Sequence, residues 1–191
     1  IKMYQPEVSI ITATYNSEKT LMRCINSVRN QEVDFNIEHI FIDGVSNDKS
    51  MNIIKSLKSS NNINYKWISE KDDGVYYAMN RGIGLAKGKY ILILNSDDTF
   101  IDTDALARLH KPLRENLCDL VISNVKIVNQ KGNLLVQSRV STLHVENPRK
   151  AYLKGIQFPH PGCLVKATLY KKLKFNLNYS IAADLDFFIR C

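Results

Sequence analysis

The stretch Tyr90-Ile91-Leu92-Ile93-Leu94-Asn95-Ser96-Asp97-Asp98 decides how the chain is read. Its first part, Tyr90 to Leu94, is an unbroken apolar and aromatic run, too short for a spanning helix and rich in strand-favouring residues. It predicts a buried strand. That strand ends in two adjacent carboxylates. Desolvating an unpaired carboxylate costs several kcal/mol, so Asp97 and Asp98 must meet water, a cation or a hydrogen-bonding loop. Two readings are open. In open α/β sheets ligands bind at the carboxyl ends of strands, and a hard divalent cation there takes oxygen ligands at about 2.1 Å if it is Mg²⁺. Alternatively Asp97, Asp98 or Asp102 caps a helix starting near Thr103.

Upstream, residues 8–12 form a short apolar strand, followed by Ala13-Thr14-Tyr15-Asn16. Asn16 or Ser17 can cap the next helix, which carries Leu21, Cys24, Ile25 and Val28 on one face. Residues 37–42 read as a second strand, ending at Asp43-Gly44. An amphipathic helix with Met51, Ile54 and Leu57 follows Asp48. Residues 63–69 read as a third strand with Trp67 in the core. A polar loop, 70–74, leads to a helix over 75–86, with Gly88 as a left-handed cap. This β-α-β-α-β-α-β alternation predicts an α/β fold: a doubly wound, mainly parallel sheet with helices on both faces. All the carboxyl ends then share one edge. Asp43, Asp72, Asp97 and Asp98 converge there, which separate helix caps explain poorly.

Downstream the pattern changes. Residues 103–115 form an amphipathic helix with Leu106, Leu109 and Leu113 inward. Residues 119–128 and 134–140 read as strands joined by the hairpin signal Asn129-Gln130-Lys131-Gly132-Asn133. They give the fold a smaller antiparallel portion. Residues 141–154 are polar, a loop with a short helix, and a proline-flanked His160 follows. Residues 163–166 are a short strand, and a short helix starts at Thr168. A last helix opens at 181, with Asp184 and Asp186 near its start. The chain begins with Ile and stops inside that helix, so a longer parent protein is expected.

At 191 residues, with 45% hydrophobic and 24% charged residues, the chain suits one globular domain with a substantial core. No apolar run approaches the roughly 20 residues of a membrane span. Cys24, Cys118, Cys163 and Cys191 lack metal-ligand spacing and read as core thiols of a reducing cytoplasm. The net charge of +7 comes from scattered Lys and Arg, against a nucleic-acid module. It fits anionic small molecules, an acidic membrane surface, or simply a basic solvated exterior. No Gly-x-Gly-x-x-Gly follows the first strand, which disfavours a dinucleotide site. A bound diphosphate would be better neutralised by a cation at Asp97 or Asp98, with its base packed on Tyr15. No Gly-x-Ser-x-Gly setting supports a serine nucleophile.

Several stretches together resemble one family. Val8-Ser-Ile-Ile-Thr-Ala-Thr-Tyr-Asn16 is similar to the opening strand of family-2 glycosyltransferases of the GT-A fold. Phe41-Ile-Asp-Gly-Val-Ser-Asn-Asp48 resembles the second motif. Glu70, Asp72, Gly74, Tyr76, Ala78, Met79, Asn80 and Gly82, with Leu94-Asn-Ser-Asp-Asp98, resemble the donor-loop and Asp-x-Asp region. Ala182-Ala-Asp-Leu-Asp-Phe-Phe-Ile-Arg190 resembles the late acidic motif. The resemblance implies an inverting hexosyltransferase of bacterial cell-surface polysaccharide assembly. The donor would be a UDP- or GDP-linked sugar and the acceptor a glycan or lipid-linked hydroxyl. Residues 1–100 would form the nucleotide-sugar half and 101–191 the acceptor half of a single domain. Ala13, Tyr15, Asn16, Asp43, Asp72, Asn80 and Asp97 would line the donor site. Asp98, with Asp97, would hold Mg²⁺ or Mn²⁺, and Asp184 would be the general base. His160 and Asp186 fall on the acceptor side; for His160 a surface role in a rigid loop is the alternative. For Asp184 and Asp186 the alternative is charge stabilisation of a helix start, worth about 0.3–1 kcal/mol. A cytoplasmic location, peripheral on the inner membrane face, would follow. Gly44, Asn95 and Ala183 depart from the pattern, standing where many relatives carry acids. The rival readings are a nucleotidyltransferase, which lacks its Gly-rich basic loop here, and a non-catalytic sugar-nucleotide-binding module.

Overall fold

Four parallel strands, β1 (Val8–Thr14), β2 (Ile37–Asp43), β3 (Ile63–Ser69) and β4 (Tyr90–Ile93), form the centre of the molecule. A computed structural model describes residues 5–60, 62–129, 132–138, 150 and 159–191. Two later strands, β5 (Leu120–Ile122) and β8 (Cys163–Lys166), complete a six-stranded sheet of order β3-β2-β1-β4-β8-β5. β8 runs antiparallel to both its neighbours. β6 (Lys126–Val128) and β7 (Leu134–Gln137) form a separate antiparallel hairpin.

The central strands lack polar alternation because both faces are covered. On one face Ile10, Phe41 and Leu92 pack with Leu21, Ile25, Ile54 and Leu106 of α1 (Leu21–Arg29), α2 (Ser50–Lys55) and α4 (Ala105–Arg114). On the other, Ile11, Ile40 and Ile93 pack with Met79, Ile83, Tyr170 and Phe187 of α3 (Val75–Leu85), α5 (Ala167–Leu173) and α6 (Ala183–Arg190). Each such side chain contributes about 1.5–3 kcal/mol through burial. The sheet is therefore a stiff platform, and its carboxyl edge carries the acids. Among the described residues no helix is long and apolar enough to cross a membrane.

Several expectations are corrected. The predicted strand over 119–128 is two strands. β5 stays in the central sheet, Ser123 N–H donates to the carbonyl of Gly162 (2.8 Å), and β6 then departs into the hairpin. Gly88 is not a left-handed cap. α3 ends at Leu85 with an extended Ala86, and Gly88 is there because a Cβ would sit 2.6 Å from the nitrogen of Ser9. The Gly88 N–H donates to Ser9 Oγ and to Glu38. Glu38 is fully buried and also accepts from Ser9 Oγ, Lys66 Nζ and the Lys87 N–H, so this edge is fastened around one satisfied carboxylate. Trp67 is 42% exposed, because it hangs at the far end of the edge strand β3 on the face of Ile63 and Tyr65. Neither Asn16 nor Ser17 caps α1, and neither Asp97, Asp98 nor Asp102 caps α4 through its side chain. Asp102 instead pairs with Arg108. His110, without a predicted partner, lies buried against Phe35 and Tyr90 with Nε2 3.3 Å from Glu7. The polar segment 141–154, apart from Lys150, and His144 within it lie outside the described residues.

Candidate active site

The loop after β1 and the loop after β2 are knitted together. Asn16 adopts a left-handed conformation (φ 48°); its Oδ1 accepts the Asn47 N–H at 2.8 Å and its N–H donates to Ser46 Oγ at 2.9 Å. Asn16 thus shapes the loop that presents Tyr15, whose ring is 63% exposed. Ala13, half-buried one position before the strand end, packs on the core below. Asp43 is fully buried. Its carboxylate accepts from the Ser46 N–H (3.0 Å), Ser46 Oγ (2.5 Å) and Ser69 Oγ (2.7 Å), so it clamps the β2 loop to the end of β3. At Gly44 a Cβ would lie 3.1 Å from Asp72 Oδ2 and 3.5 Å from the Tyr15 ring. The missing side chain leaves room in which Tyr15 and Asp72 stand together. Asp72 Oδ1 accepts the Gly74 N–H, and a hollow of about 230 Å³ beside it is lined by Glu70, Tyr77 and Arg81, among others.

At the end of β4, Ser96 Oγ meets Ser17 Oγ at 2.8 Å, and Arg23 donates to the main-chain oxygen of Asp97. Asp97 is exposed and Asp98 half-buried. Asn95 Nδ2 donates to Asp98 Oδ2 at 2.9 Å. Burial, and then the neighbouring charge of Asp97, push the Asp98 carboxyl above its ordinary value. Among the described residues neither carboxylate pairs with a lysine or arginine. Two hard oxygen donors in mutual repulsion fit a divalent cation. Among the described residues no three His, Cys, Asp or Glu side chains cluster to enclose one. The remaining ligands would be phosphate and water, the usual complement for Mg²⁺.

The late acidic motif arrives from the other side. Ala182 turns through a left-handed conformation (φ 63°) and starts α6, placing Asp184 in its first turn. Asp184 Oδ1 accepts from Tyr76 OH at 3.0 Å, and Oδ2 lies 2.9 Å from His160 Nδ1. His160 Nε2 lies 3.3 Å from Asn95 Oδ1. Asp98, Asn95, His160, Asp184 and Tyr76 therefore form one continuous hydrogen-bonded chain. Burial disfavours the charged form of Asp184. The hydrogen bond and charge of His160, with the Tyr76 hydroxyl, outweigh it and hold the carboxyl below its ordinary value.

Two predicted residues point elsewhere. Asn80 spends both ends of its amide on the main chain of Phe175, at 2.9 Å each, which ties α3 to the segment before α6. Asp186 pairs with Arg190 one helical turn on. Conversely, Tyr76 and Asn95 join the site although the sequence assigns neither a role there. Tyr76 stands within the donor-loop motif, but its partner is 108 positions away. A larger hollow, about 740 Å³, opens at the opposite edge of the sheet among Lys89, Arg114 and Lys166. These cations are already paired with Glu7, Asp34 and Asp119.

Fold and acids together define a class: the chain belongs to glycosyl transferase family 2, whose profile matches residues 9–175. It is 31% identical over 192 residues to an uncharacterised glycosyltransferase of Methanocaldococcus jannaschii, covering 100% of this chain and 66% of that one. It is likewise 31% identical over 194 residues to a PGL/p-HBAD biosynthesis glycosyltransferase of Mycobacterium bovis, covering 99% and 71%. The fold matches S. aureus TarS 1-349 in complex with UDP at a TM-score of 0.77 and 24% identity, over 95% of this chain and 54% of that one. It also matches the mannosyltransferase PcManGT of Pyrobaculum calidifontis in complex with GDP-Man and Mn²⁺, with a TM-score of 0.63 and 19% identity, over 91% and 48%. The chain thus spans about two thirds of such relatives and about half of the solved structures.

Proposed function

We propose that the protein transfers a hexose, with inversion, from a UDP- or GDP-linked sugar to a hydroxyl of a glycan or lipid-linked acceptor. The observation that carries this reading is the hydrogen-bonded chain joining the Asp98 end of the site to Asp184. Inversion needs an acceptor hydroxyl to attack the anomeric carbon opposite the departing diphosphate, losing its proton as it does. A carboxylate within reach of that hydroxyl contributes about 10²–10⁴-fold. Asp184 suits this role because Tyr76 and His160 hold its two carboxylate oxygens in place.

The exposed Tyr15 ring offers a face to the nucleobase, and Asp72 beside it an acceptor for a base N–H. Asp43 acts through the loop it clamps. Asp98 and Asp97 would hold Mg²⁺ or Mn²⁺, which when bound stabilises the charge gathering on the leaving diphosphate. The nucleotides named in the solved complexes, UDP and GDP-Man, support this choice of donors. The net charge of +7 favours an anionic donor and a peripheral position on an anionic membrane where lipid-linked acceptors lie.

A thermal-shift screen of UDP- and GDP-sugars with and without Mn²⁺ tests this. The melting temperature should rise with one donor class, and more with the metal present. Absence of a shift with every donor, or a shift indifferent to metal, would contradict the assignment.

A further inference from the structure

We infer that Asn95 and His160 are positioning residues that couple the metal end of the site to the general base. The inference deepens the transferase reading and rests on it. Hydrogen-bond direction decides the roles. Asp98 faces Asn95 with a carboxylate oxygen, so the Asn95 amide nitrogen points to Asp98 and its oxygen to His160. His160 Nδ1 faces the Asp184 carboxylate. Both ring nitrogens thus face oxygen acceptors, Asp184 Oδ2 at 2.9 Å and Asn95 Oδ1 at 3.3 Å. A carboxylate at position 95 could not donate to Asp98, and would add a third negative charge beside Asp97. The amide therefore performs what the acid of the full Asp-x-Asp pattern could not: it gives a hydrogen to Asp98 and takes one from His160.

The bridge stands on stiff ground. His160 lies in a single 3-10 turn between Pro159 and Pro161, closed by the Gly162 N–H to the Pro159 carbonyl at 2.9 Å. The Cys163 thiol donates to the same carbonyl, and Ser123 N–H to the Gly162 carbonyl. A Cβ at Gly162 would come within 2.9 Å of Ser123 Oγ and Val125 Cγ2, so the turn is seated closely against the segment after β5. Asn95 lies just beyond β4, whose neighbour in the sheet is β8, the strand that continues from this turn. The bridge thus ties the two halves of the site across a β4–β8 frame. Any shift of the loop carrying Asp98 is passed to Asp184 through two side chains. Tyr76 holds the other oxygen of Asp184 from α3, so the carboxylate has little freedom of its own.

The test combines a cycle of variants with a spectrum. His160→Ala should lower kcat about 10–100-fold, as loss of an orienting partner does, while KM for the donor changes by less than about threefold. His160→Asn, whose amide can still donate to Asp184, should recover about tenfold of that loss. Asn95→Leu should lower kcat with little change in donor KM. The double variant Asn95→Leu/His160→Ala should be no worse than His160→Ala alone, since both remove the same link. Nitrogen-15 NMR of the donor-free wild-type protein should show two hydrogen-bonded imidazole N–H groups for His160. The Nε2 signal should lose its hydrogen-bonded position in Asn95→Leu. Additive losses, a change confined to KM, or a ring with one protonated nitrogen in the wild type would overturn the coupling. The spectrum needs no turnover. Failure of the transferase reading, seen as no activity with any donor, is thereby separated from failure of the bridge.

Discussion

Asp184 is the residue at which the proposed chemistry is most exposed to test. Asp184→Asn keeps the size of the side chain and removes the proton acceptor, so turnover should fall about 10²–10⁴-fold with donor affinity unchanged. Steady-state kinetics with calorimetric donor titration checks both halves. A second residue prediction concerns the pattern's departure at Gly44. A side chain there would press on Asp72 Oδ2, 3.1 Å from the added Cβ. Gly44→Asp, restoring the acid many relatives carry, adds to that contact a second carboxylate charge beside Asp72, and should raise donor KM about tenfold, equal to about 1.4 kcal/mol. Gly44→Ala should change it far less. The position of Asp97 and Asp98 just past a buried strand was legible in the sequence, because the apolar run stops there. The partners of Asp184 were not. Tyr76 and His160 reach it across 108 and 24 positions, and no periodicity encodes a hydrogen bond between side chains that distant. Asn80 shows the same limit: its motif position says nothing of the Phe175 main chain that its amide meets.

Among the elements, the parallel strands and their covering helices followed from hydrophobic period and length. The break between β5 and β6 did not, because the stretch 119–128 reads as strand throughout and the switch of partner is a tertiary event. The same holds for Gly88, whose reason lies in β1, 79 positions away. The amino-terminal edge of β1, β2 and β4 depends on Glu38, a buried carboxylate with four donors. Glu38→Ala leaves Lys66 and two main-chain N–H groups without their acceptor. It should destabilise the protein by about 2–4 kcal/mol, mainly through the buried N–H groups left unsatisfied, with the loss read from urea unfolding. A loss under about 1 kcal/mol, the scale of an exposed pair, would show that water replaces the carboxylate there.

Taken whole, the molecule should weaken in acid before Asp184 titrates. Burial pushes the His39 ring down to about 3, whereas an exposed histidine titrates near about 6.5. Below about 6.5 the unfolded chain takes up a proton that the folded core refuses, so stability falls as pH falls. The slope is about 1.4 kcal/mol per pH unit until the folded ring itself titrates. Asp184 acts in the same direction at lower pH. Its depressed carboxyl contributes stability above the usual aspartate range, and that contribution is lost as pH drops through the folded value. Melting temperatures between about pH 7 and pH 4 should decline, and His39→Phe should flatten the upper part of that decline. The most direct measurement of the central claim, that acids from distant parts of the chain serve one donor site, is a crystal structure with UDP and Mn²⁺. It should show an anomalous manganese peak bound by Asp98 and the diphosphate, with His160 still on Asp184 across the same cleft. A nucleotide bound with no metal at Asp97 or Asp98, or a nucleotide seated in the basic hollow at the opposite edge of the sheet, would contradict it.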